Sequence, residues 1–160
     1  MNMNKFTQRS LEALQSAQAL AIEHNQQQVD QQHLLSALLN QENSLIAQLL
    51  RRMGVDAGFE AALQKELAKI PSVTGGGREA DKVYITPQMD KALTAAEKQA
   101  ERMKDDYISV EHLFLGLLDA PNEALNGLFR QFCVERDGFL KALNEVRGGA
   151  RVTTDTPEDT

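Results

Sequence analysis

Two histidines are the first residues in this sequence that could do chemistry. His33 and His112 each open the phrase H-L-x-x-x-L-L, and histidine is both a common metal ligand and the side chain that exchanges protons near neutral pH. Neither has a second histidine or a cysteine at ligand spacing, so each reads as a structural ring bonded to a neighbouring loop or carbonyl, with no metal site. His24 falls where the later copy of the phrase has Met103 and reads as a helix end. Cys133, the single cysteine, lies among apolar residues in "LFRQFCV" and reads as a small buried thiol. The glycines of "TGGGREAD" are followed by arginine and acids rather than Gly-Lys-Ser/Thr and open no helix. They read as a linker, not as a phosphate cradle. No serine or cysteine stands in a nucleophile-elbow context and there is no paired-carboxylate motif, so the chain reads as non-catalytic. The remaining cluster is "KDDYISVEH", which gathers Asp105, Asp106 and Glu111. Two readings stand side by side: a solvated turn with Glu111 complementing a helix dipole, or a binding surface.

Bulk charge and composition narrow the partners. Seventeen basic against 23 acidic side chains leave a net charge of −6, which argues against a surface that gathers nucleic-acid phosphates. One cysteine allows no intramolecular disulfide and points to a cytoplasmic location. No apolar run approaches the roughly 18 residues of a membrane span, and "MNMNKFTQRS" lacks the character of a signal peptide. No membrane partner is expected.

These side chains must be positioned by helices. Thr7, Asp30, Ser44 and Asp56 each precede an apolar stripe of helical period, and each can cap a free backbone N–H. That predicts four helices by about residue 70. After the glycine stretch the pattern restarts 79 residues on: Thr86 with Pro87 matches Thr7, Ser109 takes the place of Asp30, and Ala17, His33, Leu34 and Leu38 recur as Ala96, His112, Leu113 and Leu117. One extra residue near Gly138 makes the shift 80, pairing Phe59 with Phe139 and Leu63 with Leu143. The expectation is an all-α fold: two tandem four-helix repeats, about eight helices, packed with pseudo-twofold symmetry into one compact domain. Repeat one runs from about 6 to 70, a linker from 71 to 85, repeat two from about 86 to 148, and a flexible connector from 149 to 160. A sheet is improbable, because no segment alternates cleanly. Two convex bundles leave a groove along their seam.

The openings "MNKFTQRSLEALQSAQALAIEH" and "ITPQMDKALTAAEKQAERM", the doubled H-L-x-x-x-L-L helix and "MGVD" resemble the amino-terminal repeat of Clp-type AAA+ unfoldases, over residues 6 to 148. The sequence is most similar to the ClpB, or disaggregase, branch. In the ClpC branch a glutamate before the histidine in both repeats is similar to a phosphoarginine-reading site; here Glu111 precedes His112 but Gln32 precedes His33. The tail "RGGARVTTDTPEDT" resembles the connector into the first ATPase module, which implies a domain excised from a longer chain. The resemblance implies a substrate-binding domain that captures unfolded or aggregated polypeptide in an apolar groove and transfers it to a hexameric ring. It needs no cofactor of its own; ATP and magnesium belong to the parent homohexamer, and the isolated domain is a monomer. It also places Thr7, Asp105 and Glu111 beside that groove, with Met89 and Leu93 as its apolar wall. The alternative it implies is a docking platform for an adaptor protein.

Overall fold

A computed structural model describes residues 3–73, 83–148 and 152–155. The linker glycines, Gly75 to Gly77, lie outside the described residues. A 3-10 turn, Met3–Lys5, leads into α1 (Gln8–Glu23), followed by β1 (Gln28–Val29), α2 (Gln31–Leu39), α3 (Leu45–Arg52) and α4 (Gly58–Ala68). The second repeat has β2 (Tyr84–Ile85), α5 (Pro87–Arg102), α6 (Val110–Asp119), α7 (Glu123–Gln131) and α8 (Arg136–Arg147).

The predicted starts hold at the level of hydrogen bonds. Thr7 accepts from the N–H of Ser10, Ser44 from Ala47 and Thr86 from Met89, each through its side-chain oxygen. Asp56 accepts from Gly58, so α4 starts two residues beyond its acid. Each of the two repeated phrases begins with a reciprocal cap in which a histidine at the third helical position serves as partner: Asp30 with His33, Ser109 with His112.

The pseudo-twofold relation is written in the backbone. Phe6 bridges Ile108, and Ile85 pairs with Val29, both in parallel. These pairs exchange places under the 79-residue shift, so each repeat's leading segment docks on the other repeat's loop before its central helix. The N–H of Thr7 donates to Ile108 at 3.0 Å, and that of Thr86 to Val29 at 3.1 Å. This two-residue ladder departs from the strand-free expectation. It escaped the periodicity reading because a two-residue strand has no period to detect.

The core runs through both repeats. Residues 31–38 of α2 and 110–117 of α6 are all buried, as helices surrounded by others must be. The helices of one repeat touch those of the other at α2 with α6, α3 with α8 and α4 with α7. Phe59 on α4 meets Phe132 beyond α7 edge to face at 5.4 Å, and Phe114 meets Phe139 at 4.6 Å. Helices α5 and α6 cross closely at Gly116, where an added Cβ would lie 2.3 Å from the carbonyl oxygen of Ala92.

Cys133 corrects the sequence reading. It is exposed, not buried, because it occupies the left-handed turn after α7 with φ 56°, where the first repeat has Gly54 at φ 76°. The apolar neighbours Phe129 and Val134 are buried around it while the turn itself faces outward.

Candidate functional site

Residues 105 to 112 form the loop into α6 and its first turn, and the start of α1 lies against them. Ser10 donates from its hydroxyl to the Ile108 carbonyl at 2.8 Å, beside the Thr7 backbone bond to the same oxygen. Three of the five sequence-predicted residues, Thr7, Asp105 and Glu111, therefore share this face. Met89 and Leu93 do not join them: both lie on α5 and belong to the apolar core.

All five are buried rather than exposed. Thr7 is 0% exposed, Met89 1%, Leu93 8%, Asp105 9% and Glu111 6%. Each is buried for its own reason. The Thr7 side chain faces its cap bond, Met89 and Leu93 pack in the core, and Glu111 accepts from the Ser109 hydroxyl. Asp105, read from sequence as part of a solvated turn or a binding surface, accepts from His112 Nε2 at 2.7 Å, from the guanidinium of Arg147 and from the N–H of Val152 at 2.9 Å.

This network fixes the protonation of the ring. The N–H of Ser109 donates to His112 Nδ1 at 2.8 Å, which leaves the hydrogen on Nε2, where it donates to Asp105. In the first repeat, Asp30 N–H donates to His33 Nδ1 at 2.9 Å and His33 Nε2 to the side-chain oxygen of Gln26 at 2.5 Å. Both histidines are structural, as the sequence suggested. Burial holds both rings below the ordinary 6.5, and neighbouring acids only partly oppose it. For Asp105 burial pushes upward from 3.8, but the bonds from Arg147, Val152 and His112 outweigh it and hold the carboxyl lower. Arg147 Nη1 is buried without a hydrogen-bond partner among the described residues.

The tail also departs from expectation. Val152 is 3% exposed; its N–H reaches Asp105, its carbonyl accepts from Asp106 N–H at 2.8 Å, and the Asp155 carbonyl accepts from Gln8 N–H at 2.7 Å. The described part of the expected flexible connector is docked on the Thr7–Asp105 face.

A polar cleft lies elsewhere among the described residues, where elements of the two repeats adjoin. Its 690 Å³ are lined by Asp30, Gln32, Glu66, Gln88, Asn122 and Glu123, with Leu128 as its largest apolar side chain. Gln31 ties its walls together: Nε2 donates to the carbonyls of Gln88 and Ala120, both at 2.8 Å, and Oε1 accepts from Asn122 N–H at 2.7 Å. Sequence reasoning missed this cleft. The available signal was the pair Gln31–Gln32, two adjacent amides at the start of a mostly apolar helix where the sister helix has Val110 and Glu111. Among the described residues no group of three His, Cys, Asp or Glu side chains is disposed to hold a metal, and no helix is long and apolar enough to cross a membrane.

Comparison with known proteins agrees with this architecture. The family described as "Clp repeat (R) N-terminal domain" matches residues 5–132. The chaperone protein ClpB of Bacillus cereus is 41% identical over 161 residues, covering 100% of this chain and 18% of its own length. The chain thus spans under a fifth of that relative. The solved Hsp104 N-terminal domain from Candida albicans superposes with a TM-score of 0.81 at 25% identity, covering 95% of this chain and 97% of that one. A ClpV N-domain solved in complex with a VipB peptide has a TM-score of 0.69 at 19% identity, covering 96% of this chain and 91% of that one; this likeness concerns the fold alone. Eight α-helices among the described residues, set in two interlocked repeats, the paired histidine caps and these matches lead to one assignment: the chain belongs to the Clp repeat N-terminal domain family, on its ClpB side.

Proposed function

We propose that this domain receives substrate for a ClpB-type chaperone, capturing unfolded or aggregated polypeptide for transfer to an ATP-driven hexameric ring in the same protein. The observation that carries the reading is the convergence of Thr7, Asp105 and Glu111 on one face where the two repeats meet. The like-folded ClpV domain solved with a peptide supports a polypeptide as ligand. Because all three side chains are buried, they act by shaping the face and holding its backbone, not as an exposed patch. Capture is weak, since an unfolded chain loses conformational freedom on binding and offers no fixed shape in return. The domain works as a monomer in the cytoplasm without a cofactor; nucleotide and magnesium serve the ring.

The test is a titration of the labelled domain with reduced, carboxymethylated α-lactalbumin, followed by amide shifts. The expected result is micromolar or looser binding with shifts at the start of α1 and at residues 105–112. Absence of saturable shifts overturns the proposal.

A second reading, a docking platform for a folded adaptor, is favoured by the polar cleft. Asp30, Glu66 and Glu123 line it with no basic residue, a lining that suits a basic segment. Shifts confined to the cleft, with one tight folded partner, would place this reading first.

A further inference from the structure

Residues 152–155 are held in a manner that any extended chain could imitate. Both backbone polar groups of Val152 are bonded, the N–H to Asp105 Oδ1 and the carbonyl to Asp106 N–H, and the Asp155 carbonyl takes the N–H of Gln8. Only one side chain is enclosed: Val152 is buried, while Thr153, Thr154 and Asp155 are exposed. Main-chain bonds plus one apolar anchor are the elements by which proteins recognise extended segments with little regard to sequence.

The acceptor is prepared before any chain arrives. His112 and Arg147 hold the Asp105 carboxylate in place from within, so its Oδ1 faces the strap at no further cost in side-chain ordering. Arg147 Nη1, buried and without a partner among the described residues, adds an unused donor at the same place.

The sister repeat docks its own trailing segment at the equivalent place, but by other bonds: the Val73 N–H donates to the Asn25 carbonyl at 2.7 Å, and the Ile70 carbonyl accepts from the Gln26 side-chain amide at 3.3 Å. Gln8 corresponds to Pro87, which has no N–H, and Asp105 corresponds to Gln26, whose side-chain oxygen is taken by His33. The capping geometry is otherwise the same: Thr7 has φ −67° and ψ 162°, Thr86 φ −72° and ψ 158°. The second-repeat loop therefore adds a carboxylate acceptor, and the facing helix start a backbone donor, that the first-repeat loop does not offer to an extended chain.

We propose that the face between the start of α1 and the α5–α6 loop is a binding site for an extended polypeptide main chain, occupied at rest by the protein's own residues 152–155. This rests on the reading that the domain captures unfolded polypeptide, and it adds the mode of recognition and its control. The resident segment competes with substrate, and the apparent affinity is the intrinsic one reduced by the fraction of molecules whose strap is open.

Two variants of the full 160-residue chain test it, with fluorescent reduced, carboxymethylated α-lactalbumin as probe. Val152→Asp sets a carboxylate against Asp105 and expels the strap. Val152→Ser removes the apolar anchor without adding charge and leaves every donor and acceptor of the face in place. The expected result is binding tighter by about fivefold for Val152→Asp and about twofold for Val152→Ser, as the closed fraction falls. A synthetic RVTTDT peptide, the sequence of residues 151–156, should compete with the probe. Parent-like affinity in both variants overturns the strap while leaving polypeptide capture standing. No probe binding by parent or variants overturns both. If Val152→Asp loses helical content, Val152→Ser decides alone.

Discussion

His112 donates to Asp105 at 2.7 Å in the second repeat as His33 donates to Gln26 in the first, seven residues apart in each. One geometry is thus served by a charged acceptor in one copy and a neutral acceptor in the other. In both, a backbone N–H holds the opposite ring nitrogen, so a protonated ring would press a second N–H against it.

This fixes the acid response. Burial lowers the folded pKa of His33 and His112 below 6.5, so below that pH the unfolded chain binds protons that the folded one refuses, and stability falls as pH falls. The contribution of the neutral rings is complete above 6.5. Asp105, held below 3.8, adds stability that is lost only in stronger acid. Urea midpoints should decline from pH 7.5 to 5.5, and His33→Gln combined with His112→Gln should flatten that decline; an unchanged slope in the double variant refutes the assignment.

Asp105→Ala removes the acceptor from His112 and Arg147 together. With the Arg147 side chain 12% exposed and that of His112 0%, the expected cost is about 3–5 kcal/mol, because a buried cation loses its partner. Asp105→Asn, which keeps an acceptor oxygen, should recover part of it. Chemical denaturation of the three proteins checks the order.

Gly116→Ala would place a methyl 2.3 Å from the Ala92 carbonyl oxygen and 2.9 Å from the Ala96 nitrogen. Backbone on both sides cannot swing away, so α5 and α6 must separate, at about 1–3 kcal/mol. The equivalent residue in repeat one is already alanine, Ala37. A melting temperature equal to the parent's contradicts the close crossing.

Residues 1–73 alone should fail to melt cooperatively. They would expose Phe59, which packs on Phe129 and Phe132, and lose the Ile108 partner of Phe6. A sharp thermal transition in circular dichroism would show that repeat one carries a core of its own.

The helices were legible because caps and apolar stripes are local signals: Thr7, Asp30, Ser44, Thr86 and Ser109 each stand directly before a helix. The interlocking was legible only as a duplication, since nothing near Phe6 announces Ile108. Of the candidate residues, the place along the chain was legible and the burial was not. Thr7, Asp105 and Glu111 do gather on one face, yet their burial follows from partners far along the chain: Arg147 is 42 residues from Asp105 and Val152 is 47. A docked segment such as 152–155 carries no periodicity, and the cleft depends on Asn122 reaching Gln31, 91 residues away. Local pattern has no access to such distances.

The reciprocal pairing of Phe6 with Ile108 and Ile85 with Val29 has a consequence for synthesis on the ribosome. Ser10 finds its acceptor 98 residues later, so at roughly 5–20 residues per second the first helix waits some 5–20 s for its companion to emerge. During that interval the nascent first repeat presents the apolar face later covered by α6 to α8, and it is open to the same contacts that drive aggregation.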